Sequence, residues 1–407
     1  MISYYRRSLL DLFARAHRLS EHPVQLRSEC LEIQEMLISR TRYIERQIRT
    51  RRVENRELSR WLAIEGRIRR DRMASREVKH RRTHNNRVVE QYQELLWILK
   101  SIGDALAFTY MDKWEIKPMA AKEAPGFLTG KKGLRLELRV LRRAFEFGHV
   151  AILNDLTNSL RYGDLMCIFR GRYGQWKMLE VKNGRQTSGR VHRQKERADK
   201  LVNYLAADEV TGLYPSQGDL PMRRVSLRSE EVHYRDELND LIERAYEQGF
   251  CFQQMESGLY YLAATKTEPV MYSQMEDAIG GKSNSCFVLN QLIPPACGYY
   301  PLALSIRDPS ALLDFHKGLL TICVLVDRTA ISHKFEPLGW RVTFEPTDNV
   351  AFQLTRNNPD DPSSPCFIQI SEHLFARVGL EFVGLDWLLD ECLHLWPRAE
   401  MQDSPPI

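Results

Sequence analysis

Proline is missing from the whole stretch between Pro23 and Pro118, and glycine occurs there only at Gly66 and Gly103. That scarcity of chain breakers excludes a turn-rich β structure for the first quarter of the chain and leaves helix. The eight cysteines (Cys30, Cys167, Cys251, Cys286, Cys297, Cys323, Cys366, Cys392) include no Cys-x-x-Cys pair. Their scatter disfavours a zinc ribbon or a disulfide framework and fits a reducing cytoplasm, with most of them core thiols. No apolar run reaches the ~18–20 residues that cross a membrane. Charges and His17 interrupt the apolar start MISYYRRSLLDLFARAHR, so no signal peptide is expected there. The eleven histidines show no metal spacing. Gly280-Gly281-Lys282-Ser283 ends like a phosphate loop, but the first glycine of that motif falls on Glu276.

What the chain does have is uneven charge. The net charge is +5, yet residues 1–100 hold 23 Lys/Arg against 13 Asp/Glu. A basic front and an acidic remainder point to a polyanionic partner for the front, nucleic acid being the usual one. Apolar residues recur there at helical spacing: Met36, Leu37, Ile44, Ile48, Leu58, Leu62, then Val88, Val89, Tyr92, Leu95, Leu96, Leu99. The run His84-Asn85-Asn86 is the expected turn, folding 85–106 back as an antiparallel partner. A solvated helical hairpin, a nucleic-acid-binding arm and an oligomerising coiled coil, with a homo-oligomer or protein partner, all remain open for it.

The pattern predicts a mixed α+β protein in three parts and a tail. Residues 1–117 form a basic α-helical hairpin region. Residues 118–214 form a central αβββα core: helix 134–147, strands 150–153, 164–170 and 176–181, helix 191–205, with a hairpin turn at Gly171–Gly174. Residues 215–398 form an α+β domain, with helix over 227–249, a hairpin over 250–265, strands at 319–326, 340–345, 350–355 and 367–370, and helix over 372–396. Residues 399–407 form a disordered tail.

The chemistry concentrates in RYGDLMCIFRGRYGQWKMLEVKNG, residues 161–184. Asp164 opens one strand, and Glu180 and Lys182 close the next. Alternation along a strand turns Glu180 and Lys182 to one face. Hairpin pairing would set Asp164 across from them. Two carboxylates on strands, with the backbone carbonyl of Val181, suit a hard oxygen-seeking ion, Mg²⁺ or Mn²⁺. Lys182 would orient a metal-activated water or offset charge on phosphorus. Glu-x-Lys occurs three times, at Glu77–Lys79, Glu115–Lys117 and Glu180–Lys182. Only the third has an acidic residue one hairpin-length upstream and apolar runs on both sides. A structural ion pair is the competing reading of that copy.

Residues 133–205 resemble the PD-(D/E)XK, or restriction-endonuclease-like, nuclease core, which is αβββα with Asp and then Glu-x-Lys on a central hairpin. The resemblance implies metal ligation by Asp164 and Glu180, catalytic assistance by Lys182, and a further acid on the first core helix, Glu137 ahead of Glu146. It also implies a polar residue on the helix after the motif, for which Gln194 fits. Gly163 stands where the family commonly has proline. Arg185, Arg190, His192, Arg193, Lys195 and Arg197 cluster just after the motif, where they would either line a phosphate track or form a solvated helix face.

The expectation is therefore a cytoplasmic, Mg²⁺- or Mn²⁺-dependent nuclease, with DNA favoured over RNA. Its architecture resembles prokaryotic antiviral defence or restriction proteins, an analogy from domain layout alone. The alternatives are an RNA or tRNA nuclease with the same metal site and a catalytically idle scaffold that binds nucleic acid. Residues 215–398 are expected to regulate or recognise rather than catalyse.

Overall fold

In the computed structural model the protein is described over residues 2–68, 72–120, 126–131, 133–169, 175–181, 189–207, 209–211, 221–223, 227–265, 284–291, 301–344, 350–357 and 366–400. Contacts divide it into two compact units, residues 1–222 with 297–304, and 223–296 with 305–407. Residues 1–117 and 118–214, set apart above on composition, fall within one unit.

In the first unit, long helices carry the predicted apolar stripes. Helix α1 (Ile2–Glu21) buries Leu9, Leu12, Phe13, Ala16 and Leu19. Helix α2 (Arg27–Ile68) buries Ile33, Leu37, Ile44 and Ile48. Helix α3 (Arg72–Tyr110) buries Leu95, Ile98, Leu99, Ile102 and Leu106. At 42 residues α2 is about 63 Å long. The expected turn at His84-Asn85-Asn86 is wrong: these residues lie inside α3, and α2 gives way to α3 between Ile68 and Arg72. Both asparagines are used across the helix pair instead. Arg51 donates to the buried Asn85 (3.4 Å) and Asn55 to Asn86 (2.7 Å), which removes the local hydrogen-bonding motive for a turn.

After α4 (Lys113–Met119) come α5 (Leu134–Glu146), β1 (Val150–Leu153), β2 (Leu165–Ile168), β3 (Trp176–Leu179) and α6 (Gly189–Ala207), the α-β-β-β-α order. The sheet is an antiparallel meander, β1-β2-β3, with Leu153 opposite Leu165 and Leu165 opposite Leu179. The edge strand β1 is sealed from α2. The buried Gln34 amide donates to Ala151 O (2.8 Å) and accepts from Leu153 N–H (2.9 Å), so one side chain does what a neighbouring strand would do. The approach of α3 to the turn after β1 explains Gly103. A Cβ there would stand 2.0 Å from Leu156 O.

The second unit holds a four-stranded antiparallel sheet in the order 250–256, 259–264, 321–327, 284–288. A second, three-stranded sheet is formed by 341–343, 350–356 and 366–371. The helix expected over 227–249 begins only at Arg235. The carboxylate of Glu391 takes the backbone N–H groups of Arg228 and Ser229, holding that segment out of helix. The helix expected over 372–396 is three pieces, 372–375, 377–380 and 385–400, so the last helix enters the segment expected to be a disordered tail. Cys30, Cys167, Cys251, Cys323 and Cys392 are buried as expected, whereas Cys286 is exposed. Among the described residues no helix is long and apolar enough to cross a membrane.

Candidate active site

Helix α5 explains the first member of the site. Its buried stripe is Leu134, Glu137, Leu141 and Ala144, so an acid occupies a core position at helical spacing. Burial, reinforced by Asp164 and Asp155, pushes the Glu137 carboxyl above its ordinary value, against the pull of Lys131. Glu146, the second choice on this helix, is exposed and pairs with Arg143 at 3.2 Å, so it has no part in the cluster.

The sheet brings two more acids to the same end. Beyond the Leu153–Leu165 pair the ladder continues, with Asn154 N–H donating to Asp164 O (3.0 Å) and Asp164 N–H to Leu179 O (2.9 Å). Asp164 thus enters β2 beside the 3-10 turn Asn154–Leu156, which carries the buried Asp155. The Val181 N–H donates to Asp164 Oδ2 (2.8 Å) and fixes its rotamer, so it is the Val181 amide that engages this carboxylate. Gly163 has φ +71°, and a Cβ there would lie 2.5 Å from Met178 Cγ. Proline, locked near −65°, cannot take that conformation, which accounts physically for glycine rather than proline before Asp164.

One cation holds the three acids together. Lys131 Nζ lies 2.7 Å from Asp155 Oδ2, 3.2 Å from Asp164 Oδ1 and 3.4 Å from Glu137 Oε1. Burial works against the ammonium, but Asp155, Asp164 and Glu137 outweigh it and raise the Lys131 pKa above the ordinary lysine value. The lysine is presented by a loop latched to α2. The buried Glu45 accepts from Leu128 N–H (2.8 Å) and Thr129 N–H (2.6 Å), and Arg49 donates to Thr129 O (3.0 Å). Burial lowers the Lys100 pKa, partly offset by Asp155, Asp104 and Glu45. Asp104 anchors the loop after Asp155, accepting from the backbone N–H groups of Asn158 and Ser159 and from the Ser159 hydroxyl.

Of the residues singled out from sequence, Asp164 and Glu137 come together. Glu180 is exposed at the end of β3 and is not one of the acids on Lys131. Lys182 and Arg185 lie outside the described residues. Gln194, Arg190, His192, Arg193, Lys195 and Arg197 fall on α6, but their side chains are likewise outside it. The sequence reading missed Asp155, Lys131 and Glu45. An acid two residues past a fully apolar strand was the available signal for Asp155, because a strand end at a sheet edge is where polar groups can converge. Lys131 and Glu45 had none, since their meeting depends on the path of a loop over α2.

Among the described residues no set of three His, Cys, Asp or Glu side chains stands at metal-binding spacing. The acids of this cluster are spaced around an ammonium instead. No family model matches the chain, and no curated protein or solved structure matches it significantly.

Proposed function

We propose that this protein is a divalent-metal-dependent nuclease of the PD-(D/E)XK type, acting on DNA. The observation that carries the reading is the convergence of Glu137, Asp155 and Asp164 at one end of the meander, within the α5-β1-β2-β3-α6 order. The donor set suits such an ion in kind, being all carboxylate oxygen as Mg²⁺ and Mn²⁺ prefer, while its present spacing is set by the Lys131 ammonium. A bound Mg²⁺ or Mn²⁺ would supply Lewis-acid polarisation of a phosphate oxygen and a bound water more acidic than bulk water. Asp164, Asp155 and Glu137 would hold it, with Asp164 kept in place by the Val181 N–H. Lys182, one residue beyond Val181, retains the role the resemblance gives it, offsetting charge on phosphorus. The exposed arginines of α2 and α3 would follow the nucleic-acid backbone.

One observation favours a second reading. Lys131 already neutralises part of the cluster, as it would in an idle nuclease-like scaffold that binds nucleic acid without cutting it. Incubating the protein with labelled plasmid, linear DNA and total RNA, each with Mg²⁺, Mn²⁺ or EDTA, separates the readings. The proposal expects metal-dependent cleavage of DNA that EDTA abolishes. Cleavage of RNA alone would move the assignment to an RNA nuclease. Retained binding without cleavage of any substrate would favour the scaffold.

A further inference from the structure

We propose that Lys131 is the resident counter-cation of the carboxylate cluster and that a divalent ion binds by taking its place. The inference rests on the metal-dependent reading above and adds which residue must leave. Three carboxylates from three elements share one ammonium, at 2.7, 3.2 and 3.4 Å. A divalent ion needs those same oxygens, and two cations cannot share them at contact distance without strong repulsion. The backbone also holds the ammonium there. Glu45 fixes both Leu128 and Thr129, and Arg49 fixes the Thr129 carbonyl, so Lys131 extends from a latched loop. The residue next to Asp155 carries a further unpaired oxygen. Asn154, next to Asp155 and bonded through its N–H to Asp164, is 2% exposed, and among the described residues its Oδ1 has no hydrogen-bond partner. Its Nδ2 is already used on Tyr162 O (2.5 Å), so the amide orientation that leaves Oδ1 unpaired is fixed.

Metal entry is then coupled to release of the 126–131 loop. The apparent affinity is reduced by the fraction of molecules in which Lys131 has left, and removing the lysine's charge removes that reduction. Without metal, the lysine keeps three acids from repelling one another; without the lysine, they need the metal.

The test is to titrate Mn²⁺ into the full-length protein by calorimetry in the absence of nucleic acid, with Tm followed in parallel. Lys131→Met keeps the side chain's length and drops its charge. The Mn²⁺ Kd is expected to fall by about tenfold or more. The metal-free Tm is expected to fall, and Mn²⁺ to raise it by more than in the wild type. Equal or weaker Mn²⁺ binding in Lys131→Met overturns the proposal. Should that variant fail to fold, Glu45→Gln serves, because it keeps the lysine but loses one of the two latch acceptors. Tighter Mn²⁺ binding in Glu45→Gln supports the proposal, and unchanged or weaker binding overturns it. Asp164→Asn must weaken binding, since an unaltered Kd would place the ion elsewhere. Cleavage is not read in this experiment. A protein that binds Mn²⁺ more tightly as Lys131→Met yet cuts nothing keeps this inference and loses the nuclease reading. One that cuts DNA with an unaltered Mn²⁺ Kd does the reverse.

Discussion

The acids at residues 45, 104, 137, 155 and 164 share one chemistry but do different work, and their partners decide which. Glu45 satisfies two backbone N–H groups and nothing else in the cluster, so it is a positioning residue for Lys131. Glu45→Ala leaves both amides without their acceptor and should cost about 1–3 kcal/mol in urea unfolding; a cost near zero would mean that the loop is not held by it. Asp104 shows the pH signature most clearly. Burial pushes its carboxyl up to about 6, despite the hydrogen bonds from Ser159 and Asn158. A folded-state pKa above the unfolded one means the folded protein binds the extra proton. The resulting stabilisation is complete below about pH 4 and is lost as pH rises through about 6. Asp104→Asn should remove that component from the pH dependence of stability. A variant whose stability falls with pH over this range as steeply as the wild type would assign the titration to another group.

At the level of elements, the residues that face inward were legible and the contacts between elements were not. Periodicity marked the stripes of α2 and α3, and the helix-strand-strand-strand-helix order from Leu134 to Ala207 follows from apolar runs punctuated by glycine. Asp164 and Glu137 were legible because each lies in an element whose face the pattern fixes. The α2–α3 reversal was misplaced because Asn85 and Asn86 look like a turn locally, and only a partner helix reveals that Arg51 and Asn55 meet them. Lys131 was illegible for a related reason: a loop carries no periodicity, so its side chain acquires neighbours only through tertiary docking. Two element-level changes test that docking. Gln34→Leu should unpair Leu153 N–H and Ala151 O at the edge of β1 and lower stability by about 1–3 kcal/mol. Gly163→Pro should prevent folding of the first unit, read as loss of cooperative thermal unfolding, because it cannot reach φ +71°. A soluble Gly163→Pro with native Tm would contradict the account of this turn.

At the scale of the whole molecule, the basic helices are part of the unit that holds the candidate site. Gln34 and Glu45 on α2 and Asp104 on α3 support the strand, the loop and the turn that carry it. Cutting away residues 1–84 would therefore test folding rather than nucleic-acid binding. Charge removal is the cleaner experiment. Arg56, Arg60, Arg82 and Arg87 are exposed on α2 and α3. Changing them together to Gln should lower the slope of log K against log salt on duplex DNA by roughly 0.9 for each phosphate no longer neutralised. An unchanged slope would give this surface to a protein partner or a second copy of the chain.

The central claim, that Asp164 and its neighbours hold the ion that cuts a phosphodiester, is tested most directly by one plasmid-nicking measurement with Mg²⁺ on wild type and Asp164→Asn. The substitution keeps the side chain's shape and its acceptor for the Val181 N–H while removing the charge. The account predicts nicking by the wild type and a loss of about a hundredfold or more in Asp164→Asn, with both proteins unfolding at similar temperatures. Equal nicking rates for the two would contradict it.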